Sequence, residues 1–170
     1  MKAPVIETER LRLRPHAMAD WETMAAFFES DASCFAGGPM PRRRSWYGFG
    51  ADVGAWDLLG YGNWAVDEIA TDTFVGQVGL NRPPHFPEAE IGWIVFPPFQ
   101  RRGYGRESAL AARAHAYGVL GWKTAVSYID RDNAPSIALA RSIGCTEDVS
   151  AARLDPEDLV FRHPAPGALQ

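Results

Sequence analysis

The sequence has 170 residues, of which 46% are hydrophobic and 22% are charged, and its formal net charge is −4. This size and composition indicate one globular domain, residues 1–170, with a core of its own. The acidic balance argues against a general nucleic-acid binder, which is usually basic. Cys34 and Cys145 lie far apart without a CxxC or histidine-spaced context, so neither a disulfide framework nor a metal site is predicted.

No stretch of the chain has the features of a membrane or export segment. Its apolar runs fall short of the roughly 20 residues that a membrane helix needs. Residues 1–15 also lack the apolar core of a signal peptide. We therefore predict a cytoplasmic protein with reduced thiols and without membrane or nucleic-acid partners.

The first half of the chain predicts a strand, two helices and a hairpin. Leu11 and Leu13 alternate with arginines over residues 8–14, which indicates a strand with one buried face. Asp20 is placed to cap a helix that ends near Ser30. The next predicted elements are a loop over residues 32–41, a glycine-interrupted helix over 45–59, and a hairpin of strands over 63–68 and 74–80.

Three consecutive arginines, Arg42 to Arg44, precede the second helix. Cations near a helix start oppose the helix dipole, so a solvated basic loop is the favoured interpretation. The alternative is a clamp for an acidic acceptor or for the phosphates of a ligand.

The stretch after this hairpin combines an apolar strand, a glycine turn and an alanine-rich helix. Residues 91–96 are apolar and run into two prolines, and a helix is predicted over 106–120. Gly103 and Gly105 let the backbone approach a ligand, and the helix start offers unpaired N–H groups. We predict a diphosphate ligand here, with added positive charge from Arg101, Arg102 and Arg106.

Two well-known phosphate loops do not fit this turn. A P-loop needs Gly-Lys-Ser/Thr, whereas Arg106 and Glu107 follow Gly105. A dinucleotide fingerprint needs a third glycine or alanine where this chain has Ser108.

The remaining sequence predicts two strands and a short helix. The strand over 123–129 should run parallel to the strand over 91–96, because a helix separates them. A helix over 135–143 follows, then a strand over 158–163 and a frayed tail over 164–170.

Two motifs resemble those of the GNAT superfamily of N-acetyltransferases. Gln100-Arg-Arg-Gly103-Tyr-Gly105, after a strand and a proline, resembles its acetyl-CoA-binding motif. Asn133-Ala-Pro-Ser136, with a later Ile-Gly, resembles its second motif. The opening T-E-R-L-R-L-R-P and the E-I-G-W before the turn are similar to the subgroup of ribosomal-protein N-terminal acetyltransferases.

This resemblance implies an α/β (α+β) fold over nearly the whole chain, with a mixed, mostly antiparallel central sheet flanked by helices. The parallel strands that end at Phe96 and begin near Lys123 should splay apart and form the acyl-CoA cleft. Backbone groups left unpaired by the splay can then bind the amides of pantetheine. An exposed sheet edge would offer a route to a homodimer.

The resemblance also implies a set of cofactor-binding residues. Trp93, Ile94 and Phe96 should line the pantetheine arm, while Asn133 and Ser136 should lie near the thioester. The pyrophosphate is expected on Arg101, Arg102, Gly103, Tyr104, Gly105 and Arg106.

Acetyl transfer needs a group that removes a proton from the amine, because free amines are mostly protonated at neutral pH. Glu90, on the central strand, is the candidate base, and partial burial would raise its pKa toward the working pH. The alternative is a strand-end residue paired with an arginine. A backbone N–H around Trp93 or Ile94 is the candidate oxyanion donor.

The second motif departs from the superfamily in two places. Many members carry a tyrosine after the motif's leucine, where it protonates the departing thiolate, but this chain has Ala140. Ser136 is our preferred proton donor, with Tyr128 or water as alternatives. The usual aromatic after Leu-Gly is Cys145, a change that should affect packing more than chemistry.

Three functional hypotheses remain. The first is an N-acetyltransferase that moves an acetyl group from acetyl-CoA, its cosubstrate, to a primary amine by direct attack. The amine would belong to a protein N-terminus or a small molecule. The others are a non-catalytic acyl-CoA-binding protein of the same fold and a different nucleotide-binding domain. The acceptor cannot be read from the sequence, because specificity loops vary on a common scaffold.

Overall fold

The computed structural model describes residues 3–168. Within them, the strands are Ile6–Glu7 (β1), Leu11–Arg14 (β2), Asn63–Glu68 (β3), Thr73–Asn81 (β4), Glu90–Val95 (β5), Val126–Asp130 (β6), Thr146–Glu147 (β7) and Asp158–Arg162 (β8). The α-helices are Trp21–Glu29 (α1), Arg42–Leu59 (α2), Tyr104–Gly118 (α3) and Ala134–Ser142 (α4). The sheet order is β1-β2-β3-β4-β5-β6-β8-β7.

The sheet is mixed and mostly antiparallel, as predicted. Only β5 and β6 are parallel neighbours among the described strands, and a single pair, Glu90 opposite Val126, defines their register. On its other side β5 pairs with β4 over six residues. The two parallel strands therefore meet at one end and separate toward the other, which confirms the predicted splay.

The two faces of the sheet are covered differently. Leu11, Trp64 and Ile91 point to α3 and form the main apolar core with its alanines. An aromatic cluster beneath α1 and α2 covers part of the opposite face and contains Met24, Phe27, Phe49 and Phe96. Helices therefore flank both faces, and the polar residues described below share the second face.

The chain begins with a hairpin rather than the single predicted strand. Thr8 closes the turn, because its N–H donates to the Leu11 carbonyl at 2.9 Å and its hydroxyl oxygen accepts from the Leu11 N–H at 3.1 Å. Glu107 of α3 holds the turn by accepting from the Thr8 hydroxyl at 2.6 Å. The alternation of leucine and arginine along residues 8–14 does not indicate this tertiary contact, so the hairpin was not predicted.

Two predictions about helix starts were wrong. Asp20 makes no capping bond to α1; instead it accepts from the Ala17 N–H at 2.8 Å and pairs with Arg14 at 2.8 Å. Arg42 to Arg44 form the first turn of α2 instead of a loop. Arg42 is held there by Glu22 and Glu29 of α1, at 2.7 and 3.4 Å.

The C-terminal tail is described only in part. Residues 166–168 form one 3-10 turn, while 169–170 of the predicted tail lie outside the described residues. Over residues 3–168, no helix combines the length and apolar character that crossing a bilayer requires.

Candidate active site

Two cavities meet where β5 and β6 separate. The larger, about 900 Å³, follows the end of β5, the glycine turn and the start of α4. The smaller, about 550 Å³, lies between β5, β6 and residues 154–158. Trp93, Ile94, Asn133 and Ser136 line both cavities. The cavities are therefore two chambers of one cleft.

A buried hydrogen-bond pair closes the narrow end of the splay. The Ser127 hydroxyl donates to the Ile91 carbonyl at 2.6 Å and lies 3.0 Å from His163 Nε2. Because the serine proton is used on Ile91, His163 donates to Ser127 through Nε2. Burial lowers the pKa of His163 to about 3, so the ring is neutral. A side chain thus replaces the backbone bond that the separating strands cannot make.

The glycine turn delivers backbone N–H groups to the larger cavity. Gly103 has a φ of 84° and precedes α3, whose N-terminus has no side-chain cap. Gly103, Tyr104, Gly105 and Arg106 line the cavity. The first amides of α3, which lack helical partners, are available to an anion there.

The three arginines of the turn differ in position. Arg101 and Arg106 line the larger cavity, whereas Arg102 does not. The Arg102 guanidinium lies over the Phe99 ring, 5.5 Å from the ring centroid. The backbone carbonyl of Arg102 accepts a hydrogen bond from the Arg10 side chain at 2.9 Å. Arg102 therefore supports the turn from outside the cavity.

Two predicted ligand contacts have other partners. The Tyr104 hydroxyl donates to Glu68, so Tyr104 can reach a cavity ligand only with other atoms. Phe96 is 4% exposed within the aromatic cluster and lines neither cavity. Phe96 lies just beyond the end of β5, and its ring packs against Phe27 of α1 and Phe74 of β4, with ring centroids 5.3 and 5.0 Å apart.

Glu90 lines the smaller cavity with a perturbed carboxyl group. Burial raises its pKa to about 7, and Asp158 adds to the rise, while a hydrogen bond from Asn81 opposes it. Asn81 Nδ2 lies 3.0 Å from Glu90 Oε2. The arginine partner that the alternative interpretation assigned to Glu90 belongs to Glu88, which Arg162 binds at 2.8 and 2.9 Å.

Ser136 lies at the junction of the two cavities. Its hydroxyl oxygen accepts from Trp93 Nε1 at 3.3 Å, which leaves the hydroxyl proton available to a ligand. Its N–H donates to the Asn133 side chain at 3.2 Å, so Asn133 caps α4. Tyr128, the alternative donor, lines only the smaller cavity.

The two departures from the second motif both lie in the core. Ala140 is fully buried in a cluster with Ala109, Ile129 and Phe161. Cys145 belongs to the same cluster, and burial raises the pKa of its thiol to about 11. The cysteine is therefore a packing residue.

The smaller cavity is acidic. Among the described residues that line it there is no lysine or arginine, but four carboxylates are present, from Glu90, Asp130, Asp155 and Asp158. In this cavity and in the rest of residues 3–168, no group of three or more histidine, cysteine, aspartate or glutamate side chains is arranged to hold a metal ion.

Sequence reasoning missed two groups of cleft residues. Cys34, Phe35 and Ala36 line both cavities from a 3-10 segment that was predicted only as a loop. Gln77 and Asn81 line the smaller cavity from β4. These two polar side chains lie four residues apart in an apolar strand and therefore share one face, which could have indicated a site there.

Known proteins share this fold. The family model for the acetyltransferase (GNAT) domain matches residues 10–146. A solved acetyltransferase from Agrobacterium tumefaciens str. C58 is 41% identical, with 96% of each chain covered and a TM-score of 0.92. A protein from Bordetella pertussis assigned to the GnaT family is 26% identical, covering 95% of this chain and all of its own, with a TM-score of 0.78.

A protein from Vibrio cholerae assigned as a ribosomal-protein-serine acetyltransferase shares the fold at 24% identity. The alignment covers 96% of this chain and 98% of that one, with a TM-score of 0.76. The family match spans most of the chain and includes both motifs that border the cleft. The chain belongs to the GNAT family of acetyltransferases.

Proposed function

We propose that this protein moves an acetyl group from acetyl-CoA to a primary amine by direct attack. The carrying observation is the two-chambered cleft, with a carboxyl group of raised pKa in one chamber and uncapped helix amides in the other. Ser136 lines both chambers where they meet. In this proposal each substrate occupies its own chamber, and the two meet at Ser136.

Acetyl-CoA occupies the larger cavity in this proposal. The amides of Gly103 to Arg106 hold the pyrophosphate, with the charges of Arg101 and Arg106 beside them. Pantetheine runs along the edge of β5 that β6 leaves unpaired, next to Trp93 and Ile94. The thioester then lies near Ser136 and the capped start of α4.

The chemistry needs proton transfers both before and after one acyl transfer. Glu90 takes a proton from the ammonium group, directly or through water, and the free amine attacks the thioester carbonyl. A backbone N–H around Trp93 or Ile94 binds the oxyanion. The carbon–sulfur bond then breaks, and Ser136 donates a proton to the CoA thiolate. The nitrogen, which is positively charged after the attack, releases its second proton through water in the cleft, and this proton restores the Ser136 hydroxyl.

The acceptor in this proposal is a positively charged amine, either a protein N-terminus or a small molecule, and it enters the smaller cavity. The four carboxylates of that cavity attract an ammonium group and repel anionic acceptors. Asp130 and Asp158 lie directly opposite each other on β6 and β8, an unfavourable like-charge pair that a bound cation would relieve.

Both cysteines are free thiols, which agrees with the proposed cytoplasmic location.

Calorimetry and turnover test this proposal together. Acetyl-CoA should bind, and thiol release should be fastest with cationic amines and basic N-terminal peptides, and slowest with amines that carry carboxylates. Binding without turnover of any amine would support the non-catalytic acyl-CoA-binding alternative. Absence of CoA binding by folded protein would refute both. Light scattering of the same samples checks the homodimer proposed at the sheet edge.

A further inference from the structure

Glu90 is the last member of a chain of side-chain hydrogen bonds that begins on α2. Asn81 Nδ2 donates to Glu90 Oε2 at 3.0 Å, and Asn63 Nδ2 donates to Asn81 Oδ1 at 3.3 Å. The same Asn63 nitrogen donates to Asp52 Oδ1 at 2.6 Å. One helix and three strands therefore contribute to a single network.

The network determines which end of the Asn81 amide faces Glu90. An ionised Asp52 can only accept, so it requires the NH₂ group of Asn63. That NH₂ group also fills the acceptor of Asn81, and the Asn81 nitrogen must then point to Glu90. If Asn63 turned over, Asn81 could present its oxygen to Glu90, an arrangement that favours protonated Glu90.

The surrounding chain is built to accommodate this network. A Cβ at Gly79 would lie 1.4 Å from Asn63 Oδ1, so only glycine leaves room for the asparagine amide. Gln77 Nε2 donates to the second oxygen of Asp52 at 3.2 Å. Gln77 Oε1 is buried without a partner among the described residues. Asp52 is thus held by two amides from the polar face of the sheet.

We propose that Asp52 is a positioning residue for acetyl transfer, which orients the Asn63 and Asn81 amides so that Glu90 always faces a hydrogen-bond donor. This inference rests on the proposed role of Glu90 as the base. Asp52 lines neither cavity. It acts through two amides.

The charges around both carboxyl groups set the direction of the expected effect. Asp158 of β8 raises the pKa of Glu90, whereas the backbone N–H of Tyr128 on β6 and Asn81 on β4 lower it. Burial raises the pKa of Asp52, whereas the hydrogen bond from Asn63, the nearby His16 and the hydrogen bond from Gln77 oppose that rise. Removing the Asp52 charge alone would lower the pKa of Glu90 by relieving repulsion. Losing the amide orientation would raise it.

The variant Asp52→Ala shows whether loss of the charge or loss of the amide orientation is larger, because the two change the pKa of Glu90 in opposite directions. The acidic limb of the kcat/KM profile for acetyl transfer to a cationic amine should move up by about one pH unit. Activity at pH 6 should then fall about tenfold, with little change at pH 9 and unchanged affinity for acetyl-CoA. Asp52→Asn keeps an acceptor for Asn63 but removes the charge, so its acidic limb should stay at the wild-type position or move down, never up. Asp57→Ala, exposed on the same helix, is the matched control.

An acidic limb that stays in place or moves down in a folded Asp52→Ala protein overturns the inference. Should that variant fail to fold, Gly79→Ala displaces the Asn63 amide without removing a charge and should shift the profile in the same direction. An inactive wild type would instead refute the proposed function. The Glu90 pKa is then measured by carboxyl NMR, assigned with Glu90→Gln, and an unshifted value in Asp52→Ala overturns the network on its own.

Discussion

Two glutamates two residues apart show how position decides the chemistry of a side chain. Glu88 is bound through both oxygens by Arg162, and this hydrogen bonding lowers its pKa. Glu90 has an amide partner instead, and burial raises its pKa to about 7. Only the second carboxyl group is therefore suited to exchange a proton near neutral pH.

Glu90→Gln tests the base directly. The amide keeps the shape of the side chain but cannot accept the proton, so kcat should fall by roughly 10²-fold or more. Calorimetry should show unchanged affinity for acetyl-CoA. In the wild type, kcat/KM should rise about tenfold per pH unit up to about 7 and then level off, because the base must be ionised. A variant that turns over its true acceptor at the wild-type rate removes Glu90 from the mechanism.

Ser136→Ala tests the proton donor. Loss of the hydroxyl should lower single-turnover rates by roughly 10²-fold, because the CoA thiolate then leaves without a proton. Ser136→Thr keeps a hydroxyl and serves as the control. Full activity in Ser136→Ala, together with a loss in Tyr128→Phe, would assign the role to Tyr128.

Among the secondary-structure elements, α3 links the apolar core to the larger cavity. Its N-terminal turn needs a left-handed backbone at Gly103, where φ is 84°. Gly105 serves a different need, because a Cβ there would lie 2.6 Å from Leu139 Cδ1 on α4. The close approach of α3 and α4 depends on this missing side chain, and Leu139 itself lines the larger cavity.

Gly105→Ala should disturb that approach. The contact is with the flexible end of the Leu139 side chain, so the free energy of unfolding should fall by about 1 kcal/mol or less, while the displaced Leu139 should weaken acetyl-CoA binding. Chemical denaturation and calorimetry measure the two effects. Gly118→Ala is the matched control, because a Cβ at this position of α3 has no neighbour within 4 Å. Equal behaviour of the two variants would contradict the packing argument.

At the scale of the whole molecule, one face of the sheet carries the apolar core and the other carries the proposed catalytic groups. The face toward α3 is apolar and carries the main core. The opposite face holds the Asp52 network and the acidic cavity. Buried groups at the fork, where the two parallel strands separate, make the stability of the fold depend on pH.

The buried His163 should make the free energy of unfolding depend on pH. The pKa of His163 is about 3 in the folded protein, compared with the ordinary value of 6.5 that applies to the unfolded chain. The unfolded chain therefore takes up a proton first as the pH falls. The stabilisation is complete above pH 6.5 and decreases below it, by about 2 kcal/mol at pH 5. Denaturant titrations of the wild type and His163→Gln should differ in this slope. His85→Gln, in an exposed loop, should keep the wild-type slope.

Particular elements show where sequence reasoning succeeded. The strand over 63–68 was predicted with its observed limits, and the splay of β5 and β6 followed from the family resemblance. The predicted start of α3 was late by two residues, because Tyr104 and Gly105 were assigned to the turn. The helix at 42–59 was predicted only from Ser45, since three arginines at a helix start are locally unfavourable and only the acidic residues of α1 compensate them.

The sequence by itself determined the family, the mixed sheet and the position of the glycine turn. These depend on short motifs and on alternation, which are local properties of the chain. Only the tertiary structure decided that Arg102 and Phe96 face away from the cavities, and that Glu90 has an amide partner rather than a cation. Side-chain partners from distant strands and helices set these outcomes, because burial and hydrogen bonding exist only once the elements have packed together.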